Sequence, residues 1–223
     1  LKRKQLISDL KQIEIDREIP KAKFWFLMIL SGILITLNWF TFIYVVNNVN
    51  LKSAAFAYMV CPLITALSGF IILKEELSKV KFIAIAIAIL SIIILATGSF
   101  TDVLWSVITA SFYAFYLIIQ RVIKSVDKLN LLGFHLIIAM IIIIPLFLLN
   151  PKPIPVSASF WVDIVIIAAL FTLIPLLLSL YALNSLPSST VGIIIYVNPI
   201  VAFGVAFFYF HETIKLNQFF AYI

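Results

Sequence analysis

Long apolar runs separated by short polar stretches form most of the chain. Runs of about 20 residues predict membrane-spanning helices, because an α-helix rises about 1.5 Å per residue and the hydrocarbon layer is roughly 30 Å thick. The predicted spans are residues 24–46, 53–73, 80–97, 103–119, 131–149, 160–183 and 191–210. An eighth run begins near Leu216 and is too short to span where the sequence stops, so we expect the chain to be part of a longer protein at both ends.

Residues 1–23 differ from the rest because they are rich in charge. Leu6, Leu10 and Ile13 recur at three- to four-residue spacing, which is typical of an amphipathic helix lying on a membrane surface. A solvated loop between two spans explains the same residues equally well. Both interpretations stay open on the sequence alone.

The basic residues are distributed unevenly between the two sides of the predicted membrane. Thirteen Lys and Arg lie in residues 1–23 or in the alternate connectors that share their side, and the other side has only Lys52, Lys152 and Lys215. Short cytoplasmic loops carry the excess of positive charge in membrane proteins. The N-terminal segment is therefore predicted to be cytoplasmic.

The composition agrees with a membrane protein. Hydrophobic residues make up 64% of the chain and charged residues 12%, against about 45–50% and about 25% in soluble domains. These values exclude soluble enzymes, disordered chains and nucleic-acid-binding modules. In a membrane protein, the net charge of +6 is interpreted first as a determinant of topology. The expected partner is the lipid bilayer.

A shift of 137 residues aligns the stretch 44–75 with 181–212 without gaps. The identical pairs in this stretch are Tyr44 and Tyr181, Asn47 and Asn184, Val60 and Val197, Pro62 and Pro199, Phe70 and Phe207, and Glu75 and Glu212. Five predicted spans separate equivalent helices, and an odd number reverses their direction across the membrane. This is the inverted-repeat pattern of secondary transporters.

Two prolines occupy equivalent positions in the repeat. Pro62 and Pro199 each remove one backbone hydrogen bond from a predicted span, so we expect both helices to be kinked or locally opened there. Interrupted helices at corresponding positions of two repeats often mark a transporter's binding site. The alternative is that proline is simply tolerated in membrane helices, as at Pro145 and Pro175.

Two blocks of sequence resemble a known family. The residues that carry the resemblance are Asn38-Trp39, Asn47-Asn48, Ser53, Ala57-Tyr58, Pro62-Leu63, Gly69, Leu73 and Glu75, and then Thr172, Pro175-Leu176, Leu186-Pro187, Ser189-Thr190, Gly192, Tyr196, Pro199 and Glu212. This pattern is similar to the RarD-like permeases of the EamA group in the drug/metabolite transporter superfamily. The chain departs from it at Gln120-Arg121 and at Ile195.

The resemblance implies an all-α integral membrane fold, an inverted-repeat bundle of ten helices. Eight of the ten would be present here, with the last truncated and two preceding Leu1. Residues 1–23 would form a cytoplasmic basic loop or interfacial helix, 24–97 the remaining three helices of the first EamA repeat, and 98–223 the truncated second repeat.

Catalytic and metal-binding motifs are incomplete. His211-Glu212 begins a zinc-protease motif, but Lys215 stands where the second His is required. We predict no catalytic residue, no metal site and no cofactor, and hence no enzyme.

Neutral polar and aromatic residues lie within the predicted spans. An amide or hydroxyl in hydrocarbon costs about 1–3 kcal/mol without a partner, so these side chains should face a cavity or a neighbouring helix. The candidate substrate-binding residues are Asn38, Trp39, Tyr58, Tyr116, Thr172, Tyr196 and Asn198. Interhelical hydrogen bonding is the alternative role.

Two carboxylates end equivalent spans. Glu75 and Glu212 are candidate gate residues, with Lys74 or Lys81 as partners of the first and Lys215 of the second. Helix-end charges that fix the depth of a span are the alternative.

The sequence therefore predicts a multi-pass permease of the plasma membrane or bacterial inner membrane. Its substrates would be small amphipathic metabolites or drug-like molecules, exported by alternating access between inverted repeats. A lipid or lipid-linked-sugar translocator and a non-transporting membrane subunit are the alternatives. No nucleic-acid partner is expected, and a homodimer stays open.

Overall fold

The computed structural model describes residues 20–49, 51–76, 78–95, 100–123, 126–149, 151 and 153–198, together with 201 and 208. Every regular element within these ranges is helical. The helices are α1 (Lys21–Asn48), α2 (Leu51–Leu73), α3 (Lys79–Leu95), α4 (Phe100–Val122), α5 (Lys128–Leu149), α6 (Ala158–Ser185) and α7 (Ser188–Ile194). Each of these helices overlaps one of the seven predicted spans.

Among the residues that the structure describes, four segments are long and apolar enough to cross a membrane. They are Lys21–Asn48, Val103–Val122, Lys128–Leu149 and Ala158–Ser185, and Met59–Leu73 within α2 is a shorter apolar stretch. Val103–Val122 is the most buried of the four, since half of its apolar window lies inside the protein against 11% for Ala158–Ser185. The latter therefore exposes most of its apolar surface.

The prolines affect their helices differently. Pro62 and Pro145 lie inside α2 and α5, which are α-helical on both sides of them. In α6, a π-helical segment, Ile167–Leu173, ends two residues before Pro175. Because proline has no N–H, the carbonyl four residues earlier loses its usual donor, and a wider turn is one way for the backbone to adjust. The expected kink at Pro199 lies outside the described residues.

The chain divides into two compact units. The first contains Leu1–Thr36 and Ile119–Ser185, and the second contains Leu37–Ile118 and Leu186–Ile223. Helices α1 and α4 each contribute to both units.

In the first unit, α1 packs closely on α5 at a glycine. A Cβ added to Gly32 would lie 2.5 Å from Cδ1 and 3.2 Å from Cβ of Ile138, so a larger residue would require the Ile138 side chain to move. One turn away, Nε2 of the fully buried His135 lies 2.8 Å from Oγ of Ser31, whose hydroxyl donates to the carbonyl oxygen of Met28 at 2.9 Å. These contacts indicate that His135 has a structural role in the interface between α1 and α5.

The end of α6 in the first unit is held by a basic side chain. Nη1 of Arg121 donates to the carbonyl oxygens of Leu183 at 2.6 Å and Asn184 at 3.2 Å. The last carbonyls of a helix have no partner within the helix, and a cation there also complements the helix dipole. Arg121 therefore caps α6.

The second unit is built around small side chains. Its core cluster consists of Ala57, Val60, Cys61, Ala110 and Ala114. Ile64, Tyr113 and Ile195 pack against this cluster. Small residues from α2 and α4 thus meet in one cluster, as is common where membrane helices pack.

Candidate functional site

The candidate site begins where α2 ends. Lys74 adopts a left-handed backbone conformation, with φ of 54°, and the N–H of Glu75 donates to the carbonyl oxygen of Gly69 at 3.1 Å. A left-handed residue just past the last turn closes many helices, and here the closing bond spans one position more than the Schellman bond. This arrangement turns the chain sharply and brings Glu75 back beside the last turns of α2.

The carboxylate of Glu75 binds the first residues of α7. Its Oε1 accepts from the backbone N–H of Ser188 at 2.8 Å and from the Ser188 hydroxyl at 2.9 Å, and its Oε2 accepts from the N–H of Ser189 at 3.0 Å. The first N–H groups of a helix have no partner within it, and the helix dipole favours a negative charge there. Glu75 therefore caps α7 from 113 positions away in the sequence.

Lys81 completes this cluster from the third helix. Its Nζ donates to Oγ of Ser189 at 3.1 Å. The space is tight, because a Cβ on Gly69 would lie 2.7 Å from Oγ of Ser188 and 2.9 Å from Oε2 of Glu75. We call Gly69, Glu75, Lys81, Ser188 and Ser189 the cap cluster.

The hydrogen bonds of the cap cluster change the acidity of Glu75. Burial by itself raises the pKa of this carboxyl, but donors from Ser189 and Ser188 favour the charged form more strongly, and the net effect lowers the pKa below its ordinary value. Glu75 is thus held as a carboxylate.

Helices α2 and α7 run in opposite directions along their contact. Gly69 faces Ser188, and four residues back along α2 Thr65 faces Gly192, four residues forward along α7. A Cβ on Gly192 would lie 2.9 Å from Cβ of Thr65 and 3.4 Å from the carbonyl oxygen of Pro62. The predicted helix-break residue Pro62 therefore lies in this interface.

The backbone hydrogen-bond pattern tightens after α7, just before the second predicted break. The N–H groups of Ile195, Tyr196 and Asn198 donate to carbonyls three residues earlier, at 3.0–3.1 Å. Such bonds tighten a helix relative to the α-helical pattern. Pro199 itself, like Glu212, lies outside the described residues.

The other sequence-predicted residues are divided between the two units. Asn38, Trp39, Tyr116, Tyr196 and Asn198 belong to the second unit, and Thr172 to the first. The amide nitrogen of Asn38 donates to the carbonyl oxygen of Thr109 at 2.9 Å. Trp39 is half-buried next to it on α1, and Asn198 is exposed.

The tyrosines have different surroundings. Tyr116 is fully buried in α4, and its ring stacks on Tyr113 with centroids 6.0 Å apart. The hydroxyl of Tyr196 is buried without a hydrogen-bond partner among the described residues. The backbone of Tyr58 lies in α2, and its side chain is outside the described part of the chain.

Thr172 lies in the π-helical segment of α6. Its hydroxyl donates to the carbonyl oxygen of Ile167, five residues earlier, at 3.1 Å. π-helical turns within longer helices are frequent at functional sites.

Several residues of interest were not among the sequence candidates. Thr109 is 2% exposed, and its hydroxyl has no partner among the described residues; the fully buried amide of Gln120 likewise lacks one. The sequence does not reveal that these side chains are buried inside a span. A buried polar residue there faces either a partner or an apolar environment. Within the described residues no group of three metal-binding side chains occurs.

The comparisons with known proteins agree with this arrangement of apolar helices. Residues 6–97 and 101–223 match the EamA-like transporter family. The chain belongs to the EamA-like transporter family. Both matched regions together cover nearly the whole of this EamA chain.

Curated relatives of this EamA chain are bacterial. It is 29% identical over 199 residues to the uncharacterized transporter YojE of Bacillus subtilis, covering 87% of this chain and 66% of YojE. It is 28% identical over 193 residues to protein RarD of Streptomyces exfoliatus, covering 82% and 59%, and 30% identical over 198 residues to the uncharacterized transporter PA0485 of Pseudomonas aeruginosa, covering 84% and 64%.

These matches identify a RarD-like member of the EamA family, and the apolar helices agree with a membrane protein. The chain spans between 59% and 66% of the length of these three relatives.

Proposed function

We propose that this protein is a multi-pass permease of the plasma membrane or bacterial inner membrane. It exports small amphipathic metabolites or drug-like molecules by alternating access between inverted repeats. The observation that carries the proposal is the antiparallel packing of α2 on α7, closed at one end by the Glu75 cap. These two helices begin at Leu51 and Ser188, which are equivalent in the 137-residue repeat.

The contact register supports the inverted repeat. Gly69 facing Ser188 and Thr65 facing Gly192 define an antiparallel register, and five further residues along each segment reach the level of Val60 and Val197. Val60 and Val197 are also equivalent in the repeat. In an inverted repeat the two-fold axis passes midway between equivalent residues, so this register is compatible with the proposed repeat.

The cap cluster provides a gate that can open. Three hydrogen bonds to a partly exposed carboxylate are worth about 1–3 kcal/mol together after allowance for solvent screening, which is small enough for substrate binding to shift the equilibrium. The distribution of Lys and Arg assigns this end to the cytoplasm. Breaking the contact between Glu75 and Ser188 would open the protein to that side.

Glu212 is the equivalent gate in the second repeat. The repeat relates Glu75 to Glu212 and Ser188 to Leu51, so we propose that Glu212 caps the start of α2 when the opposite side is closed. If the two caps form alternately, only one side of the protein is open at a time.

The substrate is proposed to contact neutral groups. Asn38, Trp39, Tyr58, Tyr116, Thr172, Tyr196 and Asn198 remain the proposed binding residues. Amides, hydroxyls and aromatic rings suit neutral or zwitterionic amphiphiles, because a bare charge would lose its hydration without compensation.

Counterflow in proteoliposomes tests the proposal. The full-length protein is reconstituted and challenged with labelled neutral amino acids and small aromatic amphiphiles, with and without a pH gradient. We expect exchange by the wild-type protein and a loss after Trp39→Ala. A folded protein that exchanges none of these compounds would contradict the permease assignment and favour a lipid translocator, which lipid flipping in the same vesicles would reveal.

A further inference from the structure

The buried hydroxyl of Thr109 differs from the hydroxyls of comparable threonines. Thr36, Thr41 and Thr65 each donate to the carbonyl four residues earlier, at 2.7–2.8 Å. This bond satisfies a hydroxyl within its own helix and lets threonine lie in an apolar environment. Thr109 is 2% exposed, yet its Oγ1 has no such bond and no partner among the described residues.

The surroundings of Thr109 contain a second polar group from another helix. Nδ2 of Asn38 donates to the carbonyl oxygen of Thr109 at 2.9 Å, so an amide from α1 reaches the same turn of α4. Thr109 lies six residues, about 9 Å, inside the apolar segment Val103–Val122. A hydroxyl left unpaired at this depth costs free energy, and no hydrogen bond within the described part of the fold offsets that cost.

From the unpaired hydroxyl and the adjacent amide, we infer that Thr109 is a substrate-binding residue of the second unit, which rests on the proposed transport function. Its hydroxyl donates to, or accepts from, the polar group of a neutral amphiphile, and Asn38 fixes the backbone beside it. A hydroxyl serves both as donor and as acceptor. The preferred ligands therefore carry an amide or a hydroxyl, and apolar molecules of the same size gain nothing from Thr109.

Thr109→Val removes the hydroxyl and keeps the shape of the side chain. The matched control is Thr36→Val, since Thr36 is also 2% exposed but bonds to Gly32. Thermal unfolding of the full-length protein is measured with phenylacetamide and with n-propylbenzene, an apolar compound of similar size. Counterflow of phenylacetamide is measured in parallel.

We expect phenylacetamide to stabilise the wild-type and Thr36→Val proteins, with a dissociation constant about fivefold higher in Thr109→Val, as the loss of one hydrogen bond implies. Any stabilisation by n-propylbenzene should be equal in all three, and Thr109→Val without ligand should melt no lower than wild type.

Several results would overturn the inference: a lower melting temperature of ligand-free Thr109→Val, which would show a bond within the protein; equal phenylacetamide binding by all three proteins; or no stabilisation of wild type by phenylacetamide. Thr109-dependent binding without counterflow would instead refute only the transport function. Counterflow with the same KM in wild type and Thr109→Val would refute only the role of Thr109.

Discussion

The carboxylate of Glu75 caps the helix that begins at Ser188, with Oε1 2.8 Å from the backbone nitrogen of that residue. Glu75 follows the helix that contains Pro62, and Ser188 begins the helix that is its equivalent in the sequence repeat. A single side chain thus joins the ends of two related helices. Because the contact consists of hydrogen bonds, the protein can break and reform it.

Replacing Glu75 by Gln should weaken this contact. An amide of similar shape keeps one acceptor oxygen but loses the negative charge at the helix N-terminus, so we expect Glu75→Gln to reduce stability by about 1 kcal/mol. Thermal unfolding in detergent measures the change. Glu76→Gln is the control, since Glu76 is exposed next to it. Equal melting temperatures for the two variants would show that the cap does not contribute to the stability of the folded protein.

The stabilisation by Glu75 should depend on pH. Its pKa is lower in the folded protein, so the cap contributes fully above the ordinary carboxyl pKa of about 4.5 and is lost as the pH falls through the lowered value. The difference in melting temperature between wild type and Glu75→Gln should therefore shrink below about pH 4.5. A difference that stays constant down to pH 3.5 would contradict this assignment.

Replacing Gly192 by alanine should reduce the stability of the protein. A Cβ at this position would lie 2.9 Å from Cβ of Thr65, so Gly192→Ala forces α2 and α7 apart. Overpacking costs about 1–3 kcal/mol, partly offset by the better helix propensity of alanine, and we expect a net loss of about 1 kcal/mol in thermal unfolding.

Gly133→Ala is the control for the glycine substitution. Gly133 lies in α5, and a Cβ there meets nothing within 4 Å. This variant should be unchanged or slightly more stable. If Gly192→Ala behaved in the same way, the close packing of α2 on α7 would be wrong.

The apolar pattern predicts where the helices lie, because span length is set by the thickness of the membrane. It does not predict the partner of Glu75. The sequence offered Lys74 and Lys81 as partners, and the structure places backbone N–H groups of Ser188 and Ser189 there, with Lys81 on the Ser189 hydroxyl. Every helix start offers unpaired N–H groups, so only the fold decides which one a carboxylate reaches.

Thr109 illustrates the same limit within the spans. Its sequence neighbourhood does not distinguish it from Thr36 or Thr65, which bond to their own helices. The rotamer and the packing of neighbouring helices decide whether a hydroxyl bonds back or points elsewhere. Asn38 was predicted as a binding residue from its polarity alone, and its contact with Thr109 required the structure.

The most direct test of the account is to lock the cap and measure transport. Gly69→Cys and Ser188→Cys are combined in a background without other cysteines, including Cys61→Ala. A Cβ on Gly69 lies 2.7 Å from Oγ of Ser188, so the two thiols can form a disulfide. Counterflow is measured on the reduced, oxidised and re-reduced full-length protein, with disulfide formation verified by loss of maleimide labelling. We predict that oxidation abolishes counterflow and that reduction restores it. Counterflow at the reduced rate in fully oxidised protein would contradict a gate at Glu75.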